Sequence, residues 1–79
     1  MKITVKYFAA LRDERGLDEE ELNGAFSSPK ELYLEIKNQH GLSMCTSKLK
    51  VAINDEFADW DSELKAGDSI VFIPPVAGG

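Results

Sequence analysis

The sequence has few of the residues that build disulfides, metal centres and membrane spans. Cys45 and His40 are its sole cysteine and histidine, which excludes an internal disulfide and a four-ligand structural zinc site. No apolar run approaches the ~20 residues of a membrane-spanning helix, and the N-terminus lacks the apolar block of a signal peptide. A small domain without disulfides is typical of a reducing compartment. We therefore expect a cytoplasmic protein with no metal and no membrane partner.

Positive charge is also scarce. Nine Lys and Arg residues stand against 14 Asp and Glu residues, giving a formal net charge of −5. This balance excludes a general nucleic-acid binder, since affinity for phosphate backbones requires clustered positive charge. The 79 residues suffice for one domain with a small core, and the 43% hydrophobic content is that of a globular chain rather than a disordered one.

The residue sets of common enzymes are missing as well. No spacing supports a nucleophile–base–acid triad, and no glycine-rich phosphate loop follows a predicted strand. The acidic run at residues 18–21 predicts a solvated edge rather than a metal site. Cys45 has no sequence neighbour expected to lower its thiol pKa, and His40 fits a helix end better than a catalytic base. We expect no cofactor to be bound by this chain.

Hydrophobic periodicity predicts an alternation of strands and helices. Residues 2–7 alternate polar and apolar side chains as a half-buried strand does, and Phe8 then puts an apolar ring on the polar face. Good helix formers follow at residues 9–15 and end at a glycine. Residues 19–26 form a weaker strand pattern, with Leu22 as its best core candidate.

The clearest helix start is Ser28-Pro29-Lys30-Glu31, where a capping serine, a first-turn proline and a capping-box glutamate coincide. The helix carries an apolar stripe and closes at a His-Gly pair. Further strands are predicted at 50–53, at 56–58 after an Asn-Asp turn, and at 69–73. The last strand is apolar on both faces, as a central strand is, and Pro74-Pro75 ends it.

These elements predict an α+β domain in which one sheet packs on one main helix. A single helix covers one face of the sheet. The other face is therefore expected to expose Phe8 together with either Phe72 or the Val71/Ile73 pair. An exposed apolar patch on a small acidic protein indicates a partner site.

The last six residues begin with a rigid pair of prolines and end with two glycines, which have no side chains. Pro74-Pro75 stiffens the start, and Gly78-Gly79 has no Cβ, so the end fits a channel too narrow for other residues. Extended, the six residues from Pro74 onward reach at most ~20 Å. One interpretation is a frayed terminus. The other, which we favour, is a carboxylate presented on a thin probe.

A terminal carboxylate is ionised and a poor electrophile at neutral pH. Group transfer through it requires activation, most simply as a mixed anhydride with AMP. Because nothing in the sequence predicts an ATP site, another protein must supply that step. The chain would then be a substrate and carrier whose catalysis is provided in trans.

Segments along essentially the whole chain resemble the small subunits of molybdopterin synthase, a family of ubiquitin-like sulfur carriers with the β-grasp fold. The resemblance rests on residues 5–12, 51–54, 64–68 and, most specifically, 72–79. The Pro-Pro-Val-Ala-Gly-Gly ending separates this family from thiamine-pathway carriers, which share the terminal Gly-Gly but usually lack the Pro-Pro step. The implied organisation is a β-grasp domain at residues 1–73 with an extended tail at 74–79.

The resemblance implies a function. An adenylyltransferase of the ubiquitin-activating type uses ATP to adenylate the Gly79 carboxylate, and sulfur transfer converts it to a thiocarboxylate. The tail enters the large catalytic subunit of the synthase, where sulfur passes to cyclic pyranopterin monophosphate. Two transfers build the molybdopterin dithiolene of the molybdenum cofactor. The chain would thus be the sulfur-donating subunit, non-catalytic alone, of a heterotetrameric sulfurtransferase.

The family's apolar contact with the large subunit maps onto Phe8, Phe57 and Ile73, which favours Ile73 over Phe72 as the exposed residue. Strands one and five are central and parallel in this fold, so Phe8 is expected beside the root of the tail. Arg12 matches a basic position of the family, with a partner contact and a solvated helix arginine as equal alternatives.

Two other functions stay open. A ubiquitin-like modifier conjugated to lysines through Gly79 needs the same activated carboxylate, and isopeptide conjugates in cell extracts would reveal it. A plain interaction domain would use the open apolar face alone, and losing Gly79 would change nothing.

Overall fold

The computed structural model describes residues 1–75 and contains each predicted helix and strand. In chain order the elements are β1 (Lys2–Tyr7), α1 (Ala9–Arg15), β2 (Glu19–Asn23), α2 (Pro29–His40), a 3₁₀ turn (Thr46–Lys48), β3 (Lys50–Ile53), β4 (Glu56–Ala58) and β5 (Ser69–Ile73). The fold is therefore of the predicted α+β class. Neither helix in this part of the chain has the length and apolarity needed to cross a membrane.

The five strands form one mixed sheet in the order β2-β1-β5-β3-β4. β1 and β5 are parallel neighbours, with Tyr7 opposite Phe72, and the other pairs are antiparallel. This confirms that strands one and five are interior and parallel. The carboxyl ends of two parallel strands lie at the same edge of a sheet. The residues that follow Tyr7 and Phe72 are therefore neighbours.

The core lies between one face of the sheet and α2. β1 and β5 turn alternate side chains inward, as strand geometry requires, and α2 buries its predicted stripe against them. The Tyr33 ring meets Phe72 edge-on at 5.0 Å between centroids, and Trp60 stacks on Phe72 at 5.7 Å. Burial raises the pKa of Tyr33 to about 12, and its hydroxyl donates to the Met44 carbonyl oxygen at 2.7 Å. The fully buried residues of this core are Ile3, Val5, Tyr7, Leu11, Leu32, Tyr33, Ile36, Val51, Ile70 and Phe72.

The start of α2 follows the predicted cap with one difference. The Ser28 hydroxyl accepts from the Glu31 backbone N–H at 3.2 Å, as expected. The Glu31 carboxylate, however, accepts from the N–H of Ser27 at 3.3 Å and from its hydroxyl at 2.9 Å. Glu31 therefore closes the cap one residue earlier than a standard capping box. Gly41 ends the helix in the left-handed conformation, with φ 67°.

The second strand is shorter than predicted. β2 ends at Asn23, and Leu22, the best core candidate of the segment, packs against the core but is only partly buried. Phe26, at the end of the predicted strand, is buried more deeply. Its ring lies where a side chain on Gly24 would be, 2.8 Å from the position of a Cβ atom. Glycine at 24 lets the chain leave the sheet and bury the larger aromatic group, which removes more apolar surface from water.

No helix covers the opposite face of the sheet within the described residues. β5 settles which of its residues lie there, because Phe72 is fully buried in the core and Val71 and Ile73 alternate with it. Of the two alternatives that the sequence pattern left open, the Val71/Ile73 pair therefore lies on the open face, where both residues are half-buried, and the choice of Ile73 over Phe72 is confirmed. Ala52 of β3 lies on the same open face.

Candidate functional site

The open face of the sheet forms a shallow apolar groove, which we name the open-face groove. Two aromatic rings dominate it, with 50% of Phe8 and 76% of Phe57 exposed. Exposure of two phenylalanines on one surface indicates a contact with another molecule. The groove is lined by Lys6, Phe8, Ala52, Asp55, Phe57, Val71 and Ile73.

Strand register explains why these residues meet. Phe8 follows Tyr7, and Ile73 follows Phe72, at the shared end of the parallel pair β1 and β5. Phe57 lies opposite Ala52 in the antiparallel pair β3 and β4. The predicted interface residues Phe8, Phe57 and Ile73 thus lie on one surface, although the first and the last are 65 positions apart in the sequence.

A second groove begins where the tail leaves the sheet, and we name it the tail-root groove. Pro74 is buried and Pro75, the last described residue, is exposed. Phe57 and Ile73 line both grooves, so one continuous surface runs from the open face to the start of the tail. The tail-root groove is lined by Ser47, Lys48, Leu49, Lys50, Phe57, Ile73, Pro74 and Pro75.

The two grooves are small. Their volumes are about 290 and 340 Å³. Pockets that bury a drug-sized ligand have about 300–1,000 Å³ and enclose most of its surface. Two depressions at the lower limit of that range, both open to solvent, have room for protruding side chains of a partner protein. Across residues 1–75, no three His, Cys, Asp or Glu side chains come together as a metal site.

The turn from β1 into α1 fixes Phe8. Phe8 is extended, with φ −130° and ψ 155°, and its carbonyl accepts from the N–H groups of Leu11 and Arg12 at 3.1 and 3.3 Å. The next residue, Ala9, has φ 50°, in the left-handed region that favours glycine. Buried Leu11 holds the helix on the core, and the strained turn directs Phe8 away from it.

A polar network behind this turn was not predicted from the sequence. The Arg15 guanidinium donates to both oxygens of Glu20, at 2.8 and 2.9 Å, and the Tyr7 hydroxyl donates to the same carboxylate at 2.5 Å. Burial works against ionisation of Glu20, but the hydrogen bonds from Arg15 and Tyr7 outweigh it and hold the pKa of Glu20 below its usual value. Burial, aided by Glu20, raises the pKa of Tyr7.

This network corrects the prediction of a simple solvated edge at residues 18–21. The Glu20 side chain is only 14% exposed and Arg15 17%, so this pair is largely shielded from water. The neighbouring pairs, Lys2 with Glu21 and Arg12 with Asp18, are exposed and lie at 3.1 and 3.7 Å. The alternating in-and-out pattern of β2 could have identified Glu20 as the inward residue of the run.

Arg12 does not line either groove in the described structure. Its guanidinium lies 3.7 Å from the Asp18 carboxylate, and its side chain is half-exposed. A solvated helix arginine accounts for this placement, and a partner contact stays a prediction.

Cys45 has a neighbour that the sequence pattern did not suggest. Its sulfur lies 3.0 Å from the Ser47 hydroxyl, two residues further along the chain. That hydrogen bond lowers the pKa of the exposed Cys45 thiol. The expectation that no neighbour lowers this pKa is therefore wrong.

The predicted reactive end lies outside the described residues. Gly78 and Gly79 belong to the segment 76–79, which the structure does not describe, so their roles stay predictions. The division into a domain at 1–73 and a tail at 74–79 likewise stays a prediction, of which the structure describes Pro74 and Pro75.

Comparison with known proteins identifies the group to which this chain belongs. The model of the ThiS family matches residues 5–79. A molybdopterin synthase sulfur carrier subunit of Haemophilus influenzae is 34% identical over 80 residues, covering 98% of this chain and 99% of the relative.

Two solved structures extend the comparison. A putative molybdopterin converting factor, subunit 1, of Pyrococcus furiosus is 34% identical, with a TM-score of 0.79 over 96% of this chain and 99% of the other. A chain from a protein–protein complex of subunits 1 and 2 of molybdopterin-converting factor from Helicobacter pylori is 28% identical, with a TM-score of 0.71 over 100% of both chains. The fold is ubiquitin-like β-grasp, and the resemblance to molybdopterin synthase sulfur carrier subunits is confirmed. The chain therefore belongs to the ThiS family.

Proposed function

We propose that this chain is the sulfur-carrier subunit of a molybdopterin synthase and acts through the carboxylate of Gly79. The observation that carries the proposal is the continuous apolar surface from the open-face groove to Pro74-Pro75, on a chain 34% identical to a sulfur carrier subunit over nearly its whole length. A partner seated on that surface would receive the tail at its own active site. We also propose the cytoplasm as its compartment, because the activation step consumes ATP.

The first step is activation in trans. A carboxylate oxygen of Gly79 attacks the α-phosphorus of ATP on an adenylyltransferase of the ubiquitin-activating type, and pyrophosphate leaves. Hydrosulfide from the sulfur source then attacks the acyl carbon and displaces AMP, and loss of the proton on sulfur leaves a thiocarboxylate. This chain supplies the carboxylate and the docking surface, while nucleotide binding belongs to the activating enzyme.

The second step is delivery. The large catalytic subunit binds the surface around Phe8, Phe57 and Ile73, and the thin end of the tail enters its active site. The thiocarboxylate sulfur displaces an oxygen substituent from a carbon of cyclic pyranopterin monophosphate, and water hydrolyses the resulting thioester, which returns the Gly79 carboxylate and leaves sulfur on the pterin. A second thiocarboxylated tail supplies the other sulfur of the dithiolene. Glycine at 78 and 79 keeps the tail narrow, since neither residue has a Cβ.

Reconstitution tests this function. The chain, an activating enzyme, ATP, a sulfur source and a large subunit are combined with cyclic pyranopterin monophosphate, and molybdopterin formation is measured. The intact chain is expected to support product formation and a chain without Gly79 is not, while both unfold at the same denaturant concentration. Equal product formation from the two chains would refute the proposal. Isopeptide-linked conjugates in place of product would favour the ubiquitin-like modifier instead.

A further inference from the structure

Lysine side chains surround the two apolar grooves near the start of the tail, and apolar docking alone does not explain them. Lys6 lines the open-face groove, and Lys48 and Lys50 line the tail-root groove. We name these three lysines the basic rim. They are a third of the nine cationic residues of a chain with a net charge of −5. The basic rim is therefore a local reversal of the overall charge.

The basic rim is also unpaired within the described part of the chain. No rim lysine forms an ion pair among residues 1–75, as is also true of Lys30, Lys37 and Lys65, whereas Lys2, Arg12 and Arg15 each lie beside a carboxylate. Glu19 lies opposite Lys6 in the β1–β2 register without an ion pair to it. Asp55, at the far end of the open-face groove, is the sole acidic residue that lines either groove in this part of the chain. Asp59 borders Lys50 on its outer side, next to β4.

Docking on the apolar grooves would remove water from these ammonium groups. Desolvating a charge without a partner is costly, so a surface lacking negative groups opposite the lysines would bind poorly. A surface with carboxylates opposite them would be attracted instead. Attraction between opposite charges acts over the Debye length of ~8 Å at physiological ionic strength. Within that distance the lysines would orient an acidic partner surface, although the net negative charge of the rest of the chain repels it.

We propose that the large subunit carries carboxylates opposite the basic rim, around the mouth of the channel that receives the tail. This inference rests on the proposed function. It assigns to Lys48 and Lys50, which flank Pro74 and Pro75 in the tail-root groove, the task of aligning the tail with that channel during encounter. The apolar contacts of Phe8 and Phe57 then hold the complex.

Charge reversal at the rim tests this. The variant K48E/K50E changes two exposed side chains, and K30E/K65E makes the same change in net charge elsewhere. Lys30 lies on α2, which covers the opposite face, and Lys65 lies in the turn at the other end of β5. The rate constant for association with the large subunit is measured by stopped flow for the full-length chain, from low to high salt.

At low salt, K48E/K50E is expected to associate at least about tenfold more slowly than the unmodified chain, and K30E/K65E within about twofold of it. Near 1 M salt, where the Debye length is ~3 Å, the difference should shrink to about twofold. The neutral variant K48Q/K50Q should lie between. Circular dichroism confirms that each variant is folded.

Equal rates for K48E/K50E and K30E/K65E, or a faster K48E/K50E, would overturn the inference. If molybdopterin formation were normal in the same experiment, only the inference of an acidic channel mouth would be refuted, and the proposed function would stand. If the unmodified chain did not bind the large subunit at any salt concentration, both would fail.

Discussion

Phe57 allows the apolar docking surface to be tested quantitatively. Its ring is 76% exposed, so truncation to alanine removes little that stabilises the free chain. Fully burying a phenylalanine side chain is worth about 1.5–3 kcal/mol. If a partner covers the exposed fraction, Phe57→Ala should cost about 1.1–2.3 kcal/mol of binding, which is about 7- to 50-fold in Kd. Phe8 is 50% exposed, and the same reasoning predicts that Phe8→Ala raises Kd about 4- to 13-fold.

Titration calorimetry against the large subunit measures these losses, and urea unfolding of the free variants checks stability. Leu34→Ala is the matched control, because Leu34 is an apolar residue 42% exposed on α2, which packs on the opposite face. It should bind as the unmodified chain does. Unchanged affinity of Phe57→Ala, or an equal loss for Leu34→Ala, would refute the assignment of the surface.

Three further predictions concern the turn, the buried ion pair and the tail. Ala9→Gly should keep or raise the free energy of unfolding, because a left-handed φ costs an alanine about 1–2 kcal/mol; a loss of about 1 kcal/mol in urea, as at an ordinary helix position, would contradict this. Glu20→Gln should destabilise by about 1–3 kcal/mol at pH 7, since Arg15 loses its charged acceptor. The lowered pKa of Glu20 stabilises the fold above the unfolded value of about 4.3 and ceases to do so as pH falls through the folded value. The difference between Glu20→Gln and the unmodified chain in urea should therefore shrink at low pH, and a constant difference would argue against the network. Gly78→Val should abolish molybdopterin formation by widening the tail, and normal turnover would argue against a narrow channel.

Most of the fold follows from local patterns in the sequence. The alternation in β1, the cap at Ser28 and the turn signals around residues 54–55 each determine structure within a few neighbours, and each prediction is confirmed. The position of Phe8 could be predicted because a single ring breaks a strict alternation. Its neighbour Ile73 required knowledge that β1 and β5 are parallel, and that came from the resemblance to a family rather than from periodicity.

What the sequence did not predict depends on contacts between distant residues. Phe26 joins Leu22 against the core and is the more deeply buried of the two because Gly24 leaves space for its ring, which no periodicity indicates. Glu20 lies in an acidic run whose pattern predicts exposure to water, yet Arg15 and Tyr7 both donate hydrogen bonds to its carboxylate. In both cases tertiary packing decides between alternatives that local propensity leaves equal.

The most direct test of the carrier function is the intact mass of this chain after incubation with an activating enzyme, ATP and a sulfur source. We expect a mass gain equal to the replacement of one oxygen by sulfur, located at Gly79 by fragmentation and absent when ATP is omitted. An unchanged mass with an activating enzyme that is competent on a known carrier would contradict the proposed function.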